Sequence, residues 1–220
     1  MSLDCVLFDL DGTLLDTSYD FSYALNLLCD EYRIAAPSYN QVRNTVSQGG
    51  AAVTRLAFPD NDDSDFEDKR RRFLNIYKQN IALHTQLFPG LQAGLVYLAE
   101  NKIPWGIVTN KPTELTEHLL AHFNFPTPPR TVVCGDTLAV RKPHPEPMWL
   151  AAEECGVAPE SCLYLGDHPR DLEAGINAGM KTGAALFGYM APEKFENLMQ
   201  ADFLFRTPYD ITQFIKERMS

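Results

Sequence analysis

Asp9 and Asp11 stand one residue apart at the end of the apolar run Cys5-Val6-Leu7-Phe8, and Gly12 and Thr13 follow at once. In an extended backbone residues two apart lie on the same side, so both carboxylates are expected to face one way while Leu10 turns toward apolar packing. Two carboxylates held together repel unless a shared proton or a cation intervenes. A hard dication with oxygen ligands, most simply Mg²⁺, resolves the repulsion, and it favours phosphate as a further ligand. Taken by itself, the Asp-Gly pair also fits a plain turn closing a strand.

Three further clusters carry chemistry. Thr109-Asn110-Lys111-Pro112 follows the apolar stretch Trp105-Gly106-Ile107-Val108. A hydroxyl, an amide and a new helix N-terminus form a phosphate cradle there, although Thr or Asn before Pro is also an ordinary helix start. Arg141-Lys142-Pro143-His144-Pro145-Glu146-Pro147 holds one lysine on a backbone stiffened by three prolines. Such a lysine can present a fixed charge to phosphate and to a carboxylate. Leu163-Tyr164-Leu165-Gly166-Asp167 again ends an apolar run in Gly-Asp, and Asp171 follows at a helix start. Together Asp9, Asp11, Asp167 and Asp171 make an oxygen-rich metal site. By contrast, Asp60-Asn61-Asp62-Asp63-Ser64-Asp65 is not a calcium loop, because it lacks the glycine and the closing glutamate that such a loop needs. His118 and His122 are one helical turn apart with no third nitrogen ligand, and His84, His144 and His168 are not assigned to catalysis.

The elements that must position these groups are readable from periodicity. A helix is expected over 16–32, where Phe21, Ala24, Leu25, Leu27 and Leu28 recur at helical spacing, and a short one over 39–46. Ser47-Gln48-Gly49-Gly50 then invites a turn whose exposed amides could reach an anion, or a plain helix-to-helix turn. A long helix starts in the acidic stretch, carries Lys69-Arg70-Arg71-Arg72 as a solvated face, and continues through Phe73, Ile76, Tyr77 and Ile81 to a hinge at Phe88-Pro89-Gly90. Helix and strand then alternate: helices over 91–101, 113–123, 146–155 and 172–178, strands over 105–108, 131–134, 162–165 and 182–186. The pattern predicts an α/β fold, a parallel sheet covered on both faces with its site outside the carboxyl ends of the strands.

Asp9-Leu10-Asp11-Gly12-Thr13 with Leu14-Leu15-Asp16-Thr17, followed in order by Thr109-Asn110, Lys142 and Gly166-Asp167 with Asp171, resembles the haloacid dehalogenase-like phosphohydrolases over nearly the whole chain. The resemblance implies a Rossmann-like core of residues 1–15 and 89–220, with a small all-helical cap, 16–88, inserted after the first strand. It implies Asp9 as the nucleophile that takes a phosphoryl group and Asp11 as the acid that protonates the leaving oxygen, then the base that activates water. Thr109, Asn110 and Gly12 would hold the phosphoryl oxygens, and Lys142 would hold nucleophile and phosphate together. Mg²⁺ would be bound by Asp9, the backbone carbonyl of Asp11 and Asp167, with Asp171 nearby. Because dehalogenases do not keep the second acid, Asp11 argues for a phosphatase or phosphomutase. Cap candidates for substrate contact are Arg43, Gln48, Gly49 and Arg55.

Within the family, Cys134-Gly135-Asp136-Thr137-Leu138 leading to Lys142 and its prolines resembles the phosphoglycolate phosphatase branch. Phe187-Gly188-Tyr189, Ala201-Asp202-Phe203 and the Ser47-Gln48-Gly49-Gly50 turn are similar to N-acetylmuramic acid 6-phosphate phosphatases of the same branch. A phosphosugar mutase is a weaker alternative. An aspartyl-phosphate switch is weaker still, since acceptor and second acid share one strand end here.

Composition narrows the partners. A net charge of −10, from 19 basic against 29 acidic residues, repels polyanions, so nucleic acid is not expected. The expected ligand is a small phosphorylated metabolite. No run approaches the length of a membrane span, and the start shows no secretory signal. The five cysteines are scattered, with no C-x-x-C pair, and read as reduced, mostly buried thiols. A cytoplasmic monomer or homodimer is the expectation.

Overall fold

The computed structural model describes residues 3–59 and 63–219. The first strand, β1 (Cys5–Phe8), is wholly buried. Its alternate residues serve two cores: Val6 and Phe8 pack with Trp105, Ile107, Leu163 and Leu165, whereas Cys5 and Leu7 pack with Val108, Val133, Met148 and Tyr164. A strand covered on both faces has no polar side to show, which is why it reads as a continuous apolar run.

After β1 come β2 (Leu15–Asp16), then α1 (Ser18–Tyr32), α2 (Tyr39–Arg43), α3 (Gly50–Ala57) and α4 (Asp63–Gln79), and then β3 (Gln86–Leu87). The rest alternates as α5 (Leu91–Glu100), β4 (Trp105–Val108), α6 (Thr113–Leu120), β5 (Thr131–Val133), α7 (Glu146–Cys155), β6 (Cys162–Gly166), α8 (Pro169–Asn177) and β7 (Lys181–Ala185). It closes with β8 (Phe203–Phe205) and α9 (Pro208–Arg218). Six strands form one parallel sheet in the order β5-β4-β1-β6-β7-β8. The chain runs outward from β1 through β4 to β5, then returns to β1's other side with β6. That reversal opens a crevice at the carboxyl ends of β1, β4 and β6.

The helical insert is fastened at its base. β2 and β3 pair antiparallel, Leu15 opposite Leu87 and Asp16 opposite Gln86, so the chain enters and leaves side by side. Just above, the buried carboxylate of Asp20 accepts the backbone N–H groups of His84 (2.8 Å) and Thr85 (3.1 Å) and the Thr85 hydroxyl (2.6 Å). The Phe21 ring lies 4.2 Å from Tyr77 and 6.0 Å from Phe73, joining α1 to α4. These side chains belong to the same apolar cluster as Val6 and Phe8, so insert and sheet share one core.

Several expectations are revised. The short helix ends at Arg43, and the expected turn at Ser47 is a 3-10 turn, Val46–Gln48, with Gly49 at φ +91 leading into α3. Lys69 is not part of a solvated face. It shares a stripe with Phe66, Phe73 and Ile76 at i, i+3 and i+4 spacing, so its side chain is only 7% exposed and its ammonium sits over the Tyr32 and Phe58 rings. Asp65 pairs with that ammonium, while Arg70, Arg71 and Arg72 bond to Glu67, Asp68 and Glu31 at the surface. Part of the acidic helix start, residues 60–62, lies outside the described residues. β2, β3 and β8 are too short to leave a period in the sequence. A last helix, α9, follows the alternating elements, with Thr207 and Asp210 forming a capping box at its start.

Removing the Asp20 carboxylate leaves two backbone N–H groups without an acceptor. Asp20→Ala is therefore expected to lower unfolding stability by about 2–4 kcal/mol, measured by urea denaturation.

Candidate active site

β1 ends at Phe8, and the Asp9 N–H adds a further bond to the Leu165 carbonyl at 2.8 Å. The chain then leaves extended geometry: Leu14 and Leu15 both donate to the Leu10 carbonyl, and Gly12 adopts φ +88. A side chain at Gly12 or Gly188 would collide with Asp167, so both glycines are fixed by how closely the backbone approaches that carboxylate.

Beyond the strand end the two carboxylates take different partners. Each has its own lysine. The Lys142 ammonium, buried beneath the carboxyl ends of the strands, donates to Asp9 Oδ1 at 2.9 Å and Asp171 Oδ1 at 2.7 Å, with the Val108 carbonyl and Tyr164 hydroxyl at 2.8 and 2.7 Å. Asp11 instead accepts from Lys111 Nζ (3.0 and 3.3 Å) and from the Thr17 hydroxyl at 2.6 Å. Lys111 also donates to the Tyr77 hydroxyl of α4 at 2.9 Å, with the Phe21 and Tyr77 rings beside its ammonium. Lys111 stood in the Thr109 motif without a role. Its place two residues beyond Thr109, at the same strand end, was the signal that could have found it.

Oxygens of Asp9, Asp167 and Asp171 lie within 4.8 Å of one another, and all three residues are buried. Three carboxylates face one ammonium, and the pKa pattern records the imbalance. Burial, with Asp171 adding repulsion and Lys142 opposing, pushes Asp9 up to about 6. Burial and the charges of Asp171 and Asp9 push Asp167 up to about 8. Burial works against the Asp171 carboxylate too, but Lys142 and Arg170 hold it below its usual range. Asp167 Oδ2 accepts from the Tyr189 N–H at 2.7 Å and the Ser47 hydroxyl at 2.9 Å, while its buried Oδ1 has no hydrogen-bond partner. An all-oxygen cluster with excess negative charge and an orphaned carboxylate oxygen fits a hard divalent cation.

Thr109 and Asn110 flank this cluster. The Thr109 N–H continues the ladder to Val133 at 2.9 Å, and the Asn110 amide donates to the Lys142 carbonyl at 2.9 Å, leaving Asn110 Oδ1 buried without a partner. The helix N-terminus expected to cradle phosphate is otherwise engaged, since Asp136 accepts both the N–H (2.8 Å) and the hydroxyl (2.5 Å) of Thr113. Of the insert residues, Arg43 donates to the Phe187 carbonyl at 2.9 Å and lies over the Tyr189 ring. Gln48 is exposed, Gly49 precedes α3, and the Arg55 guanidinium stacks on Phe66 at 3.5 Å within the insert.

His168 caps α8, its Nδ1 accepting the Arg170 N–H at 3.3 Å. Burial and Arg170 lower its pKa to about 4, so the ring is neutral near pH 7. Tyr189 was singled out in the sequence only for resemblance, yet its hydroxyl accepts the N–H groups of Thr17 (2.6 Å) and Ser18 (3.0 Å) and donates to Asp16 at 2.9 Å. It grips the chain where the insert begins.

Fold and site together define a parallel α/β protein with a buried carboxylate–lysine centre at its strand ends, suited to a divalent cation and a small anion. The chain belongs to the haloacid dehalogenase-like hydrolase family, whose model matches residues 6–185. It is 39% identical over 203 residues to a phosphoglycolate phosphatase of Xanthomonas campestris pv. campestris, 92% of each chain. It is 35% identical over 216 residues to an N-acetylmuramic acid 6-phosphate phosphatase of Pseudomonas putida, 98% of this chain and 97% of that protein. A crystal structure described as a predicted phosphoglycolate phosphatase from Haemophilus somnus shares the fold, with a TM-score of 0.85 at 24% identity, over 97% of this chain and 98% of that one. Among the described residues, no helix is long and apolar enough to cross a membrane.

The raised pKa values of Asp9 and Asp167 give a signed expectation. Without a cation, the folded protein holds protons that the unfolded chain releases near pH 4. The associated stability is present below that pH and is lost as pH rises through about 6 and then about 8. A divalent cation bound by these carboxylates would replace those protons. The rise in melting temperature on adding Mg²⁺ over EDTA is therefore expected to be larger at pH 8 than at pH 5. Thermal melts at both pH values check this, and an equal rise would count against it.

Proposed function

We propose that this protein is a Mg²⁺-dependent phosphomonoester hydrolase that works through a phosphorylated Asp9, with 2-phosphoglycolate as its substrate. The observation that carries the reading is the buried Asp9–Lys142–Asp171 group beside Asp167, with a second acid, Asp11, two residues from Asp9. Lys142 occupies Asp9 Oδ1, which leaves Oδ2 to attack phosphorus. Asp11 gives a proton to the leaving oxygen and later takes one from the water that cleaves the acyl phosphate. Asp11 Oδ1 is held by Thr17 and Lys111, and Oδ2 only by Lys111 at the longer 3.3 Å, so Oδ2 is the freer oxygen for that proton. Thr109, Asn110 and the Gly12 turn hold the phosphoryl oxygens in line with Asp9, which is most of what phosphoryl transfer requires. Asp9, the Asp11 carbonyl and Asp167, with Asp171 in support, would hold the cation, which when bound would supply positive charge to those oxygens.

In this reading residues 16–88 are a cap over a core of 1–15 and 89–220, and the β2–β3 pair is the stem on which the cap moves to exclude water. The bonds from Arg43 to Phe187 and from Ser47 to Asp167 support a closed arrangement. Arg43 is the leading cap residue for specificity, with Gln48 and Gly49 beside it. Five free thiols support a reducing, cytoplasmic setting. The Pseudomonas putida relative, matched over 98% of this chain, favours N-acetylmuramic acid 6-phosphate as the second reading.

Phosphate release from both compounds, side by side with Mg²⁺ and with EDTA, tests the proposal. The expected result is at least a hundredfold preference in kcat/KM for 2-phosphoglycolate, about 2.7 kcal/mol of transition-state discrimination. The reverse preference establishes the second reading, and weak, equal rates defeat both. Asp9→Asn is expected to fold, by circular dichroism, and to release phosphate only at background. Near-normal turnover by that variant would remove Asp9 as nucleophile.

A further inference from the structure

Asp167 Oδ2 is where two distant parts of the chain converge. One donor, the Tyr189 N–H, belongs to the loop after β7. The other, the Ser47 hydroxyl, lies 120 residues earlier in the 3-10 turn between α2 and α3 of the insert. Tyr189 closes a circuit, because its hydroxyl bonds Asp16, Thr17 and Ser18 at the base of the same insert. Arg43, four residues before Ser47, fastens the insert to the Phe187 carbonyl within the Tyr189 loop.

A carboxylate bonded through one oxygen to two donors is fixed in rotation, and its other oxygen is aimed. Here the aimed oxygen is the orphaned Asp167 Oδ1. The Tyr189 N–H comes from the loop after β7, outside the insert. The Ser47 hydroxyl is present only while the insert rests on the core. A serine in a surface turn could bond any nearby acceptor or water, yet this one reaches a buried carboxylate of the cluster that fits a cation.

We propose that Ser47 is a positioning residue which, from the insert, orients Asp167 for the cation, so that cation binding and closure of the insert are one linked equilibrium. The inference rests on the reading of Asp167 as a cation ligand. Groups that orient a metal ligand contribute to affinity without touching the metal. Linkage makes the effect reciprocal: closure tightens cation binding, and the cation favours closure to the same degree.

Isothermal titration calorimetry with Mg²⁺, without substrate, tests this on the wild type, Ser47→Ala and Ser47→Thr, each checked for folding by circular dichroism. Ser47→Ala is expected to weaken Mg²⁺ affinity about tenfold. Ser47→Thr, which keeps the hydroxyl, restores most of the loss. Hydrogen exchange in Val46–Gln48 slows on adding Mg²⁺ to the wild type and is unchanged by Mg²⁺ in Ser47→Ala. Wild-type affinity in Ser47→Ala overturns the coupling alone, as does a Thr variant no better than Ala. A wild type that binds no Mg²⁺ overturns the cation reading and the coupling together.

Discussion

One ammonium ion enclosed by carboxylates sets the terms for the rest of the molecule. Lys142 lies between Asp9 and Asp171, all three nearly inaccessible to solvent, and a third buried carboxylate, Asp167, has no lysine of its own. Charge taken out of water is costly unless it is paired and hydrogen-bonded. Lys142 meets that condition with four oxygen neighbours, and Asp171 meets it through Lys142 and the His168 N–H. Asp167 meets it on one oxygen only, and the raised pKa values of Asp167 and Asp9 express the negative charge left over. A proton or a cation must answer that excess.

Such a centre can exist only at the ends of the strands. Along β1 and β6 both faces are packed with apolar side chains, and a charge there would face neither water nor a partner. At their carboxyl ends the ladder stops, the chain turns, and polar side chains from four separate strand ends meet. The reversal of strand order around β1 makes room for them. The stiff loop after β5 brings Lys142 back beneath β1, where the Asn110 amide ties its carbonyl to the loop after β4. Four chain segments remote in sequence are thus locked by a few charge-assisted bonds, which are stronger than neutral ones and geometrically specific.

The helical insert is joined to this centre by polar contacts as well as by its apolar base. Tyr77 shares the Lys111 ammonium with Asp11, Ser47 bonds Asp167, and Arg43 bonds the Phe187 carbonyl. Those bonds lie at the crevice, and the apolar contacts of Phe21, Phe73 and Tyr77 run from there into the core shared with the sheet. Polar contacts at the crevice can exchange with water or substrate at small net cost, while the shared core keeps the insert attached.

Local chemistry alone determined the strands at 105–108 and 162–165, the helices that alternate with them, and the aspartates and lysine at the strand ends, because each rests on periodicity or on a motif a few residues long. That Asp9, Lys142, Asp167 and Asp171 belong together was legible through family resemblance, since no local rule links positions so far apart. The tertiary structure decided which acid faces which base. Asp11 turned to Lys111 because the chain leaves β geometry at Leu10, and alternation holds only while a strand is extended. It also decided that Lys69 is buried on an apolar stripe, that Asp136 occupies the start of α6, and that Tyr189 grips the base of the insert. Each depends on a partner distant in the chain or across a turn, and a linear sequence specifies residue types and spacing while leaving such partners to packing.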